Sequence, residues 1–161
     1  MCYNVVTVED IETEGPCKGR TKDKLHRVRP LITLLQDTFA ALVKLGFLWS
    51  IDEGMVPYRG RFCPCKVYMK DKPHKFGIKI WMLCCAVTGF CFMFKIYEGR
   101  GDVFPGETPE FLDLWGLGER VVLYFASFVA KGSHIFTDRF FTTPCVCIAL
   151  RNMGIGSLEL Q

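Results

Sequence analysis

Two aspartates stand in the same context. Asp52 in "SIDEGM" and Asp138 in "TDRFF" each fall where a short apolar run of strand type meets its following loop. If those strands are parallel neighbours, the two carboxylates end side by side at one edge of a sheet. Clustered carboxylate oxygens hold Mg²⁺, and a pair of such ions activates an attacking oxygen and stabilises a leaving one in phosphoryl transfer. A plainer reading covers the same residues. Asp-Glu-Gly is common turn chemistry, and an Asp close before a helix often accepts only local backbone hydrogen bonds.

Between the two aspartates runs a basic segment: Arg59, Arg61, Lys66, Lys70, Lys72, Lys75 and Lys79, opposed only by Asp71 and interleaved with Tyr58, Phe62, Tyr68 and Phe76. Such a surface suits a phosphate backbone, and a solvated basic hairpin loop without a partner has the same composition. The net charge of +3 decides nothing, so the distribution of charge carries the argument.

Nine cysteines allow a disulfide framework, a metal site or reduced core thiols. The N-terminus "MCYNVVTVEDIETEG" lacks a basic leader and turns acidic, which argues against export and an oxidising compartment. No C-x-x-C pair occurs; Cys63/Cys65 and Cys145/Cys147 have C-x-C spacing, and Cys84 and Cys85 are adjacent. Reduced thiols in apolar segments fit best, with zinc at an exposed Cys63/Cys65 pair as the alternative. His74 and His134 read as loop or surface residues, and the tripeptide in "GRGD" (99–102) needs an extracellular context to matter.

The elements that must position these residues follow from periodicity. The uncharged run Ile80–Phe94 is bounded by lysines and broken by Thr88-Gly89; a membrane span needs about 20 apolar residues, so two strands joined at a turn are expected. Residues 1–22 read as a flexible leader and 23–161 as one domain. Leu31, Leu34, Leu35, Phe39 and Leu42 recur at helical spacing, predicting a helix with one buried face that stops at Gly46. "FLWSI" predicts a strand ending at Asp52, and Gly99–Gly118 a long loop. Glu119–Lys131 predicts a helix capped by Gly132, and "HIFTD" a strand parallel to the first. Thr143 and Pro144 open a helix that Gly154 stops, and "IGSLELQ" begins a last strand. The order is mixed α/β without internal repeats.

In this order, "SIDEGMVPYRGR", "KVYMKDKPHKFGIKIWMLC", "TGF", "YEGRG" and "TDRFFTT" resemble the transposase domain of the piggyBac family, over about Lys24 to Gly156. The resemblance implies an RNase H-like DDE/D core, a mixed sheet with flanking helices that cuts and rejoins DNA with Mg²⁺ and acts in the nucleus. It implies that Asp52 and Asp138 are the first two catalytic, metal-holding aspartates, and that Arg59, Arg61, Lys66, Lys70, Lys72, Lys75 and Lys79 face DNA. The sequence departs from the family at Arg139, where Asn is usual, and at Cys85, where Asp is usual. The family's last catalytic aspartate lies beyond the position corresponding to Gln161. The expectation is therefore a fold truncated at its C-terminal side, inactive by itself, with an apolar edge at Ile155–Leu160 open to self-association or a full-length relative. Competing expectations are a non-catalytic DNA-binding or protein-interaction module and a gene remnant.

Overall fold

The computed structural model describes residues 23–42, 46–61, 63–70 and 73–159. The expected leader at 1–22 lies outside them. Helix α1 (Arg29–Leu42) forms where the apolar spacing predicts it. Its expected buried face is a correction: none of its residues is buried, and Leu31, Leu34 and Leu42 are exposed. Only the end bearing Phe39 reaches neighbouring rings, those of Phe90 and Phe94, while Gln36 Nε2 donates to the Phe94 carbonyl at 2.7 Å.

Strand β1 (Leu48–Pro57) runs through Asp52 instead of ending there. The reason lies in β3 (Phe76–Cys85), which offers an antiparallel partner from Trp49↔Cys85 to Pro57↔Gly77 and pairs every residue between. The close approach at the far end needs a glycine: a Cβ on Gly77 would lie 2.4 Å from the Val56 carbonyl oxygen. A short β2 (Lys66–Tyr68), unforeseen inside the basic run, pairs with the start of β3. Strand β4 (Cys91–Ile96) returns from the expected turn, with Gly89 at φ +72°. The edge of β3 away from β1 is thus shared by β2 and β4.

The expected loop Gly99–Gly118 contains a helix, α2 (Pro109–Leu114), started by the Thr108 hydroxyl accepting from Phe111 N and by Pro109 in the first turn. Helix α3 (Leu117–Ala126) begins where Glu119 reaches back to Gly116 N at 2.7 Å. It ends earlier than periodicity suggests. The Ser127 hydroxyl turns onto the Tyr124 carbonyl at 2.6 Å, and the chain continues in turns to Gly132 at φ +85°. Strand β5 (His134–Thr137), helix α4 (Pro144–Asn152, capped by Thr143) and strand β6 (Gly156–Glu159) follow as expected.

The sheet order is β2–β3–β1–β5–β6 with β4 on β3; β5 runs parallel to both β1 and β6. Alternation gives the sheet two unlike faces. Trp49, Ile51, Trp81, Leu83 and Ile135 form one, packed with Val121, Val122 and Phe125 of α3 and Val146 and Leu150 of α4. Ser50, Asp52, Gly54, Ile80, Met82, Cys84 and Phe136 form the other, on which none is buried. The expected mixed sheet with flanking helices is present.

Candidate active site and nucleic-acid interface

Extended pairing through Asp52, Glu53 and Gly54 removes the turn reading of these residues. Parallel pairing of β1 with β5 matches Leu48 to His134, Trp49 to Ile135 and Ser50 to Phe136. Continued by two residues, that register sets Asp52 opposite Asp138, the residue that follows β5. Both share strand parity with Ser50 and Phe136, on the face away from the packed helices, and both are exposed.

Each carboxylate is oriented by its own backbone. Asp52 Oδ1 accepts from Glu53 N at 2.7 Å, and Asp138 Oδ1 accepts from Phe140 N at 2.9 Å. Among the described residues, no hydrogen bond engages Oδ2 of either. Hard, partly uncommitted carboxylate oxygens are the donor set that Mg²⁺ takes. No group of three His, Cys, Asp or Glu residues with ligand placement occurs among the described residues.

The turn after Asp138 is fixed more firmly than its exposure suggests. The Asp138 carbonyl accepts from Phe141 N, Thr142 N and, at 2.7 Å, the Thr142 hydroxyl. Thr143 Oγ1 donates to Glu119 Oε1 at 2.5 Å, and Phe141 is wholly buried. The Phe140 carbonyl sits so close to α3 that a Cβ on Gly118 would lie 2.4 Å from its oxygen. Phe140 stacks on Trp81 at 6.0 Å, and the Lys79 ammonium lies 4.0 Å from the Trp81 ring centroid while pairing with Glu53 at 2.5 Å. Lys79, Trp81 and Phe140 thereby tie the Asp138 turn to the strand beside β1. Sequence reasoning did not find this arrangement, although Lys79 and Trp81 share one parity in "KIW".

The basic residues divide. Arg59, Arg61, Lys70 and Lys75 are exposed. Lys66 is half-buried, donating to the Gly60 carbonyl at 3.2 Å with its ammonium 5.0 Å from the Phe76 ring centroid. Lys79 is committed to Glu53 and Trp81, and Lys72 lies outside the described residues. Arg139 is exposed and meets Glu159 at 3.6 Å.

The cysteine expectation is corrected at one place: Cys65 is buried, and burial pushes its thiol above the ordinary value, so Cys63/Cys65 is not an exposed pair. All seven described cysteines are free. A hydrogen bond with Cys91 holds the Cys84 thiol below its ordinary value, against burial and the nearby Asp52 carboxylate. His74 and His134 are exposed, as expected. Among the described residues no helix is long and apolar enough to cross a membrane.

Known proteins resemble the chain along most of its length. The family profile described as Transposase IS4 matches residues 7–158. Human PiggyBac transposable element-derived protein 3 is 32% identical over 138 residues, covering 82% of this chain and 22% of the relative. Human PiggyBac transposable element-derived protein 2 is 28% identical over 136 residues, covering 83% of this chain and 22% of the relative. The chain therefore spans about a fifth of the length of these curated relatives. Among solved structures, the piggyBac transposase synaptic complex with hairpin DNA aligns with a TM-score of 0.71 at 29% identity, over 85% of this chain and 27% of that one. With a profile match along nearly its whole length and a sheet that superposes on this transposase, the chain belongs to the Transposase IS4 family and is piggyBac-derived.

Proposed function

We propose that the chain is a DNA-binding part of a piggyBac-type transposase core, in which Asp52 and Asp138 are two of the carboxylates of a divalent-metal site for cut-and-paste phosphoryl transfer. The β1–β5 register supports this reading, because continuing it two residues past the Ser50–Phe136 pair would bring the two aspartates opposite each other on one sheet face. Mg²⁺ held by these carboxylates would supply charge neutralisation at the phosphate and an activated attacking oxygen. The protein's own contribution is placement: β1 presents Asp52, and the turn pinned by Gly118, Phe141 and Thr142 presents Asp138.

Two carboxylates leave much of the charge of a metal pair unbalanced, so this chain alone binds DNA without cutting it. Arg59, Arg61, Lys70 and Lys75 contact phosphates, which gives affinity with little base discrimination. DNA as partner agrees with the hairpin DNA in the similar transposase structure, and a role on DNA would put the chain's work in the nucleus. Strand β6 pairs only with β5 among the described residues, and its outer edge suits pairing with a further strand.

The test is a salt titration of duplex binding by fluorescence anisotropy, paired with a nicking assay on transposon-end DNA with Mg²⁺ or Mn²⁺. Binding that falls steeply with salt and weakens when Arg59, Arg61, Lys70 and Lys75 are all changed to Gln is expected. Equal affinity of this variant at low salt removes the surface. Metal-dependent nicking that disappears in Asp52→Asn overturns the non-cutting reading and retains the carboxylate assignment, whereas nicking that persists in Asp52→Asn and Asp138→Asn overturns the site.

A further inference from the structure

The β3–β4 hairpin holds a second pair of like side chains across adjacent strands, and its chemistry is unrelated to DNA. Cys84 and Cys91 are register partners at a bulge where the pairing shifts between Leu83 and Cys84. The bond from Cys85 N to the Phe90 carbonyl, 2.9 Å long, lies one residue further toward the turn. Cys84 and Cys91 thus occupy a non-hydrogen-bonded position, where opposed Cα atoms approach to about 4.5 Å and side chains are closest. Disulfides form at Cα separations of about 4.4–6.8 Å. Cys91 Sγ donates to the Met93 carbonyl at 3.5 Å, and both residues are only half-buried.

We propose that Cys84 and Cys91 form a reversible dithiol–disulfide site that reacts with small disulfides of the glutathione type. One protein thiolate attacks a sulfur of the disulfide, forming a mixed disulfide and expelling one thiolate of the reagent. The second protein thiolate attacks the protein sulfur of that mixed disulfide, forming the Cys84–Cys91 bond and expelling the other half of the reagent. The protein loses two protons and two electrons, and one reagent disulfide becomes two thiols. The cross-strand register sets the two thiols opposite each other, so either can attack first and its partner resolves the mixed disulfide. Cys85 differs: its thiol is held low by the Thr88 hydroxyl, and its strand parity directs it to the other face.

The experiment treats the reduced chain with oxidised glutathione, alkylates the remaining thiols and maps the cysteines by peptide mass spectrometry. The wild type should lose two hydrogens through a Cys84–Cys91 crosslink that dithiothreitol reverses, before exposed Cys145 is modified. Cys91→Ala should instead accumulate a glutathione adduct at Cys84, and Cys85→Ala should still form the crosslink. A wild type that stays reduced at Cys84 and Cys91 while Cys145 carries glutathione overturns the proposal. So does a Cys84–Cys85 link in place of the cross-strand one.

Discussion

The two faces of the sheet are made from alternate residues of the same strands and do opposite things. On one, Trp49, Ile51, Trp81, Leu83 and Ile135 are wholly or almost wholly buried beneath α3 and α4. On the other, Ser50, Asp52, Met82, Cys84 and Phe136 are partly open, and this face carries both the carboxylate pair and the dithiol pair. The close packing of α3 and α4 is on one face, and the other, covered by α1 only near Phe94, can hold groups that would be costly to bury, since an isolated buried carboxylate loses its hydration. The register that pairs Trp49 with Ile135 is the one that, continued by two residues beyond Ser50 and Phe136, would set Asp52 opposite Asp138. Stability and chemistry are thus coupled in position and separable in energy.

That separation can be broken by substitution. Trp81→Ala on the packed face should cost about 3–5 kcal/mol in urea unfolding, because it empties the contact with Phe140, Phe141 and Tyr97. Met82→Ala, next in sequence and on the open face, should cost clearly less; equal losses would show that both faces pack alike. Gly118→Ala should follow at about 1–3 kcal/mol, since the added methyl meets the Phe140 carbonyl and displaces the turn that bears Asp138. A thermal shift as large as that of Trp81→Ala would place the turn within the core instead of beside it.

A smaller effect is expected at the edge, where the Arg29 guanidinium holds the Asp23 carboxyl down to about 2. A carboxyl depressed on folding stabilises above its unfolded value and loses that contribution as pH falls through the folded one. The wild type should therefore lose stability between about pH 4 and pH 2 in part through this pair. The pair is largely solvated, so Asp23→Asn should cost below ~1 kcal/mol at neutral pH, measured by thermal unfolding. The least effect on stability is expected for Asp52→Asn and Asp138→Asn, within ~0.5 kcal/mol, because both carboxylates are exposed. Each should nonetheless weaken Mn²⁺ binding, read by electron paramagnetic resonance. Stability unchanged and Mn²⁺ binding unchanged would sever the proposed link between register and metal.

Much of the fold was legible because its signals are local. Thr143, Pro144 and Gly154 delimit α4 by their own backbone chemistry, and Thr88-Gly89 marks the hairpin turn in the same way. The length of β1 was not legible, since "DEG" resembles a turn until β3 pairs with it. Nor was α2, whose Thr108-Pro109 start is short and set in a Gly- and Pro-rich segment. The helical stripe of α1 was read correctly as periodicity and wrongly as burial, because periodicity does not say how much of a face finds a partner. At the site, the position of Asp138 just after β5 came from sequence, whereas Asp52 lies inside β1 and not at its end, and the Lys79–Trp81–Phe140 arrangement depends on residues brought together only by folding.

The parallel pairing of β1 and β5 also bears on the order of folding. Strands β1, β3 and β4 are joined by antiparallel contacts between segments that follow one another closely, so they can associate early. A parallel neighbour cannot be reached by a hairpin; β5 arrives only after the chain has passed through the crossover containing α2 and α3. Closing so long a loop costs entropy before any contact rewards it. On this ground Asp52 is expected to be set in its strand before the segment that carries Asp138 joins the sheet.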